Sequence, residues 1–158
     1  MKYRGPIFQL TNQPFSTDGV AGGGFVKATY LEAIDGDTAY FIIDGQKEKV
    51  RFFVIDTPEI FPKQEKYSIE AKNYTHAILK YAQTIFLQSD PSDSLRDNTP
   101  SKRLLAWVWV NRQLLNYKLV EKGYAQIKYI FGENMMYLDD LKQAEQIAKE
   151  KNRRLFHK

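Results

Sequence analysis

The chain has 158 residues, and its 23 Lys and Arg against 19 Asp and Glu leave a net charge of +4. That length carries one domain with a sizeable core, and the mild basic excess favours anionic partners without specifying one. The absence of cysteine excludes disulfides, thiolate nucleophiles and cysteine-ligated metals, and His76 and His157 are too few for a histidine-rich metal site.

Residues 1–24 combine Pro6, Pro14, polar residues and the run Gly22-Gly23-Gly24. They read as a flexible leader or linker ahead of a domain spanning 25–158. Ile7, Phe8 and Leu10 leave open the alternative of a strand packed on that domain. Residues 25–34 are rich in β-formers and predict a first strand, and 38–43 predict a second. Asp44-Gly45 is a favoured hairpin turn, because both residues tolerate positive φ. Residues 49–55 predict a third strand, with Val50, Phe52 and Val54 on one face.

Pro58 and Pro62 hold the next segment in a loop. Apolar residues then recur at Ala71, Tyr74, Ile78, Leu79 and Ala82 with a helical period, and Ser68 is a candidate N-cap. Strands are expected at 84–88 and 103–110, separated by a polar loop. Two more helices follow, over 113–122 up to Gly123 and over about 137–151. The order predicts an α+β, mainly β fold: a five-stranded OB-type barrel with a helix between strands 3 and 4 and two C-terminal helices. Barrels of this kind often bind oligonucleotides, although fold alone does not give function.

The chemistry-bearing residues fall in four segments: IDGDT (34–38), VRFFVIDTPE (50–59), RLLAWVWV (103–110) and LLNYKLVEKGYA (114–125). Taken singly each has a plain structural explanation. Asp-Gly-Asp between strands is ordinarily a turn, and Trp107 and Trp109, on one face of a strand, are expected in the core. Together they supply more. Asp37, Asp56 and Glu59 lie at strand ends that a barrel can bring to one rim, and Arg51 and Arg103 can reach the same rim. Carboxylate oxygens suit calcium. Carboxylates for metal and water, with arginines for phosphate, are the parts phosphoryl chemistry needs.

In sequence and order these four segments resemble the staphylococcal nuclease family over about 25–155. The resemblance implies a metal-dependent nuclease, endo- or exo-acting, that hydrolyses DNA and RNA and leaves 3′-phosphate ends. It implies Ca2+ as cofactor, held by Asp37, Asp56 and the backbone carbonyl of Thr57, with Asp35 supporting the site. It further implies Glu59 as the carboxylate that orients or deprotonates the attacking water, and Arg51 and Arg103 as the phosphate-binding pair. Tyr129 and Lys102 stand where nucleotide contacts are expected. The family's usual Tyr-Gly-Arg turn is replaced here by Pro100-Ser101-Lys102-Arg103, and Phe131 replaces a second pocket tyrosine. The competing expectation is a catalytically silent nucleic-acid-binding module, which has no need to keep all five of Asp37, Asp56, Glu59, Arg51 and Arg103. The resemblance also favours a secreted or cell-surface bacterial protein, although no signal peptide is visible in these residues.

Overall fold

The computed structural model describes residues 5–128 and 134–158. In chain order the elements are β1 (Ser16–Thr17), β2 (Val20–Ala21), β3 (Phe25–Lys27), β4 (Thr29–Asp35), β5 (Thr38–Ile43), β6 (Gln46–Phe52) and β7 (Ile55–Asp56). Then come α1 (Ser68–Lys80), β8 (Ile85–Gln88), β9 (Leu104–Val110), β10 (Gln113–Leu114), α2 (Leu115–Glu121), β11 (Gln126–Ile127) and α3 (Leu138–Glu150). The fold is mixed and mainly β, with no described helix long and apolar enough to cross a membrane.

The main sheet runs β3-β8-β9-β6-β5-β4, with β10 paired to β9. This strand order is OB-like, but the five-strand count is not what the ladders give. The expected first strand is two, β3 and β4, separated at Ala28, and these two pieces form the two ends of the hydrogen-bonded path. One piece lies against β8 and the other against β5. The first strand thus serves both ends of the sheet, and among the described residues no ladder joins those ends to each other.

The central strand β9 is buried along its whole length. It is covered on both edges by β8 and β6, and it reads as a continuous apolar run because neither of its faces meets water. Trp107 and Trp109 are fully buried, and their indole N–H groups donate to Asp90 and Gln88 at 3.0 and 2.9 Å. That satisfies the polar edge each ring carries into the core.

The Asp44-Gly45 hairpin forms as expected, with both residues at positive φ and Ile43 paired to Gln46. The third strand does not. It stops at Phe52, and Val54 takes φ 72° while the Ile55 N–H donates to the Phe53 carbonyl at 2.8 Å. This is a γ-turn of the strained, positive-φ kind, costly for a β-branched residue. It separates β6 from β7 and redirects the chain at the residues leading to Asp56.

The predicted helices appear with shifted ends. Gln113 and Leu114 join a strand, so α2 starts at Leu115. Ser68 is the first helical residue and not the N-cap, because Tyr67 takes the cap position at φ 69°, and the buried Ser68 Oγ makes no hydrogen bond. Residues 5–24 touch the sheet at a few points, although most of the segment is exposed. The Phe8 ring packs on Phe25, Phe86 and Trp109 at centroid distances of 5.1, 5.5 and 5.3 Å. Gly24 donates to the Pro14 carbonyl at 3.0 Å. A division at residue 24 is therefore a proposal about which residues fold alone.

Candidate functional site

The β4–β5 turn places two carboxylates. Asp35 pairs with Thr38 across a two-residue loop in which neither Gly36 nor Asp37 has positive φ. Such a loop twists against the strands, and a register shift in β4 between Ala33 and Asp35 takes up the mismatch. Gly36 is required by space: an added Cβ would sit 2.7 Å from Thr57 Cγ2 and 2.9 Å from Ala71 Cβ. Its carbonyl accepts the Thr75 hydroxyl at 2.7 Å, which ties the turn to α1. Gly36→Ala is therefore expected to lower stability by about 1–3 kcal/mol through overpacking. Urea unfolding measures this. Adding Thr57→Ser, which removes the clashing methyl, should restore part of the loss, and no rescue would show that the steric reading is wrong.

Asp37 is 4% exposed and stands at the centre of the cluster. Its Oδ2 accepts the Thr57 N–H at 2.9 Å and its Oδ1 accepts the Thr38 hydroxyl at 3.0 Å. The Asp37 N–H donates to Asp35 Oδ1 at 3.0 Å. Arg51, on β6, lies 3.4 Å from Asp37 Oδ2 and 3.9 Å from Asp56 Oδ1, and it donates to the Phe52 carbonyl at 2.8 Å. Lys128 approaches Asp56 at 3.9 Å from the other side.

Asp35, Asp37, Arg51, Asp56, Glu59 and Arg103 all line one cleft of about 460 Å³. Thr57 is buried beside it, hydrogen-bonded to Asp37. Asp93, Ser94, Asp97, Asn98 and Thr99 form a further wall. Lys102 is exposed and does not line the cleft, and it adopts φ 45°. Tyr129 and Phe131 lie outside the described residues.

The carboxylates crowd one another. Burial, and then the charge of Asp37, push the Asp35 carboxyl up to about 7. Burial and Asp37 likewise raise Asp56. Partial burial raises Glu59, followed by repulsion from Asp37, Asp56 and Glu65. The negative charge here exceeds what Arg51 and Lys128 offset, and the donors are hard oxygens, which is the chemistry that suits calcium. Among the described residues no three acidic or histidine side chains enclose an ion alone. The backbone carbonyl of Thr57 and water would have to complete the shell. The Thr57 Oγ1, buried without a hydrogen bond, leaves one more oxygen beside Asp37.

Two residues were not expected from sequence. Asp97 sits 2.7 Å from Arg103 Nε, and nothing in a polar loop marks it as a partner of the strand that follows. The fully buried Asn116 accepts the Val108 N–H at 2.9 Å and donates to the Phe53 carbonyl at 3.1 Å. It lies in one of the four motif segments, but its role as a clamp on the γ-turn was not legible there.

Residues 49–158 match the family described as staphylococcal nuclease homologue. The thermonuclease of Staphylococcus intermedius is 34% identical over 92% of this chain and 85% of its own length. The thermonuclease of Staphylococcus hyicus is 28% identical over 89% and 82% respectively. Endonuclease YncB of Bacillus subtilis is 32% identical over 78% of this chain but only 58% of its own length.

Proposed function

The chain belongs to the staphylococcal nuclease family, and from that premise we propose that it is a calcium-dependent nuclease that hydrolyses phosphodiester bonds in DNA and RNA. One observation carries the reading: Asp37, then Arg51, Asp56 and Glu59, then Arg103, from three separate segments of the chain, line the same cleft. A silent binding module would need the cleft but not this set.

In this reading Asp37, Asp56 and the Thr57 carbonyl would hold the ion, which when bound would supply positive charge near the phosphate. Arg51 and Arg103 bind the same phosphate, each able to present two parallel N–H groups. Arg51 is kept at the carboxylate cluster by its contacts with Asp37 and Asp56. Glu59 orients the attacking water and accepts its proton. Partial burial, then Asp37, Asp56 and Glu65, raise the Glu59 carboxyl, which favours proton acceptance, and a bound cation would act in the opposite direction. Departure of the 5′ oxygen then leaves a 3′-phosphate end.

The test is hydrolysis of single-stranded DNA and RNA by purified protein, first with calcium and then with excess chelator. Cleavage that requires calcium is the expected result. Binding without cleavage in any divalent metal would favour the silent module.

A further inference from the structure

Resting on that reading of the cleft, we propose that Asp97 is a positioning residue for Arg103, holding the guanidinium by its Nε so that the terminal fork is left to the substrate phosphate. Asp97 Oδ2 accepts Arg103 Nε–H at 2.7 Å, while Oδ1 accepts the Arg103 backbone N–H at 2.9 Å. The Asp97 N–H in turn donates to the Arg103 carbonyl at 2.9 Å. Both ends of Arg103 are thus fixed by one residue. Among the described residues the Arg103 guanidinium makes no hydrogen bond or ion pair other than this one.

The geometry divides the guanidinium. Arginine has five N–H groups in a rigid plane. A carboxylate taken end-on by Nε leaves most of them, including the terminal nitrogens, for a second acceptor. Asp97 and Arg103 both line the cleft that holds the carboxylate cluster, so that acceptor sits where a phosphate would.

The carboxylate is itself held. Its Oδ1 also accepts the Thr99 N–H at 3.2 Å and the Thr99 hydroxyl at 2.7 Å, a local turn closed by the Asp97 side chain. Burial pushes the Asp97 carboxyl up, but the bonds from Thr99 and Arg103 outweigh this and hold it below its ordinary value. Arg96 braces the same loop: it grips Glu48 of β6 with two nitrogens, each at 3.0 Å, and donates to the Lys102 carbonyl at 3.1 Å. The loop before Arg103 therefore carries its own scaffold. Fixing the side chain in advance removes rotamer entropy that phosphate binding would otherwise have to overcome.

Asp97→Asn is the informative change. The amide oxygen can keep the Oδ1 bonds to Thr99 and the Arg103 backbone, while the amide nitrogen cannot accept from Nε. The expected result on single-stranded DNA with calcium is a fall in kcat/KM of about 10- to 100-fold. In an Arg103→Ala background the same change should have an effect within about two-fold. A purely structural role would reduce activity equally in both backgrounds. Equal losses, or a wild-type or better rate in Asp97→Asn, would overturn the proposal; a better rate would make Asp97 a competitor of the phosphate. Slow solvent exchange of the Arg103 Nε–H by NMR in the unsubstituted protein tests the bond itself, and exchange as fast as for the exposed Arg112 would also overturn it. If the unsubstituted protein cleaves nothing, the nuclease reading fails, whereas an active protein with equal losses sinks only the role of Asp97.

Discussion

Glu59→Gln is expected to lower kcat by about 100- to 1000-fold while leaving fold and calcium binding in place. The residue lines the cleft from an exposed position just after β7, and its carboxylate accepts no hydrogen bond from any described residue. Its backbone N–H is held by the Glu65 carboxylate, which the substitution does not touch. The amide is isosteric, so little stability is at stake. What disappears is a group able to take a proton. The assigned metal-binding groups, Asp37, Asp56 and the Thr57 carbonyl, are unaltered, so calcium affinity by calorimetry should stay close to the unsubstituted value. Turnover on single-stranded DNA should not. A Glu59→Gln protein that cleaves at an undiminished rate would remove Glu59 from proton transfer, and water would then have to be activated by the metal alone.

The charge arrangement sharpens this expectation. Glu59 is raised by burial and by its acidic neighbours. A bound cation would reverse the sign of the nearest charge and lower it again. In the proposed reading the basicity of Glu59 would depend on the balance between the carboxylate cluster and the ion, and Glu59→Gln would remove the proton acceptor.

The convergence of Asp35, Asp37, Arg51, Asp56, Glu59 and Arg103 on one cleft was legible because each stands in or beside a strand end, and strand ends converge when a sheet coils on itself. The hairpin at Asp44-Gly45 was legible for a local reason, since both turn residues take positive φ. Other features depend on contacts across the chain. The run 50–55 is uniformly β-forming, so nothing local announces the reversal at Val54. That reversal is imposed by bonds from elsewhere: Asn116 to the Phe53 carbonyl, Ala106 to the Phe53 N–H, and Lys128 N–H to the Val54 carbonyl. Phe8 gave a weak apolar signal inside a Gly- and Pro-rich stretch, yet it completes an aromatic cluster with residues 17 or more positions away. Asp97 sits in a loop whose composition is simply polar, and its value lies in reaching back to a residue six positions on. Two-residue ladders such as β7 with β11 are too short to show a period at all.

Asn116→Leu is expected to destabilise the protein by about 3 kcal/mol, because the apolar side chain leaves the buried Val108 N–H without a partner and the Phe53 carbonyl with only its bond from Ile55. The orphaned N–H costs about 1–3 kcal/mol and the lost bond to Phe53 about 1 kcal/mol more, in a core too tightly packed to admit water freely. Tm should drop by about 10 °C. The consequence extends to the cleft. The Phe53 carbonyl bonded to Asn116 also closes the γ-turn to Ile55, and Asp56 follows directly. Relaxing the positive φ at Val54 would move Asp56 relative to Asp37. Asn116→Asp keeps the Val108 bond and breaks the Phe53 one. It sets a buried acceptor against the Phe53 carbonyl, so it should cost at least as much stability as Asn116→Leu while weakening calcium binding. A stability loss with unchanged calcium affinity in Asn116→Asp would mean that the γ-turn is held by its other bonds. A loss of both would mean that a buried amide, distant in sequence from every carboxylate in the cleft, sets the position of one of them.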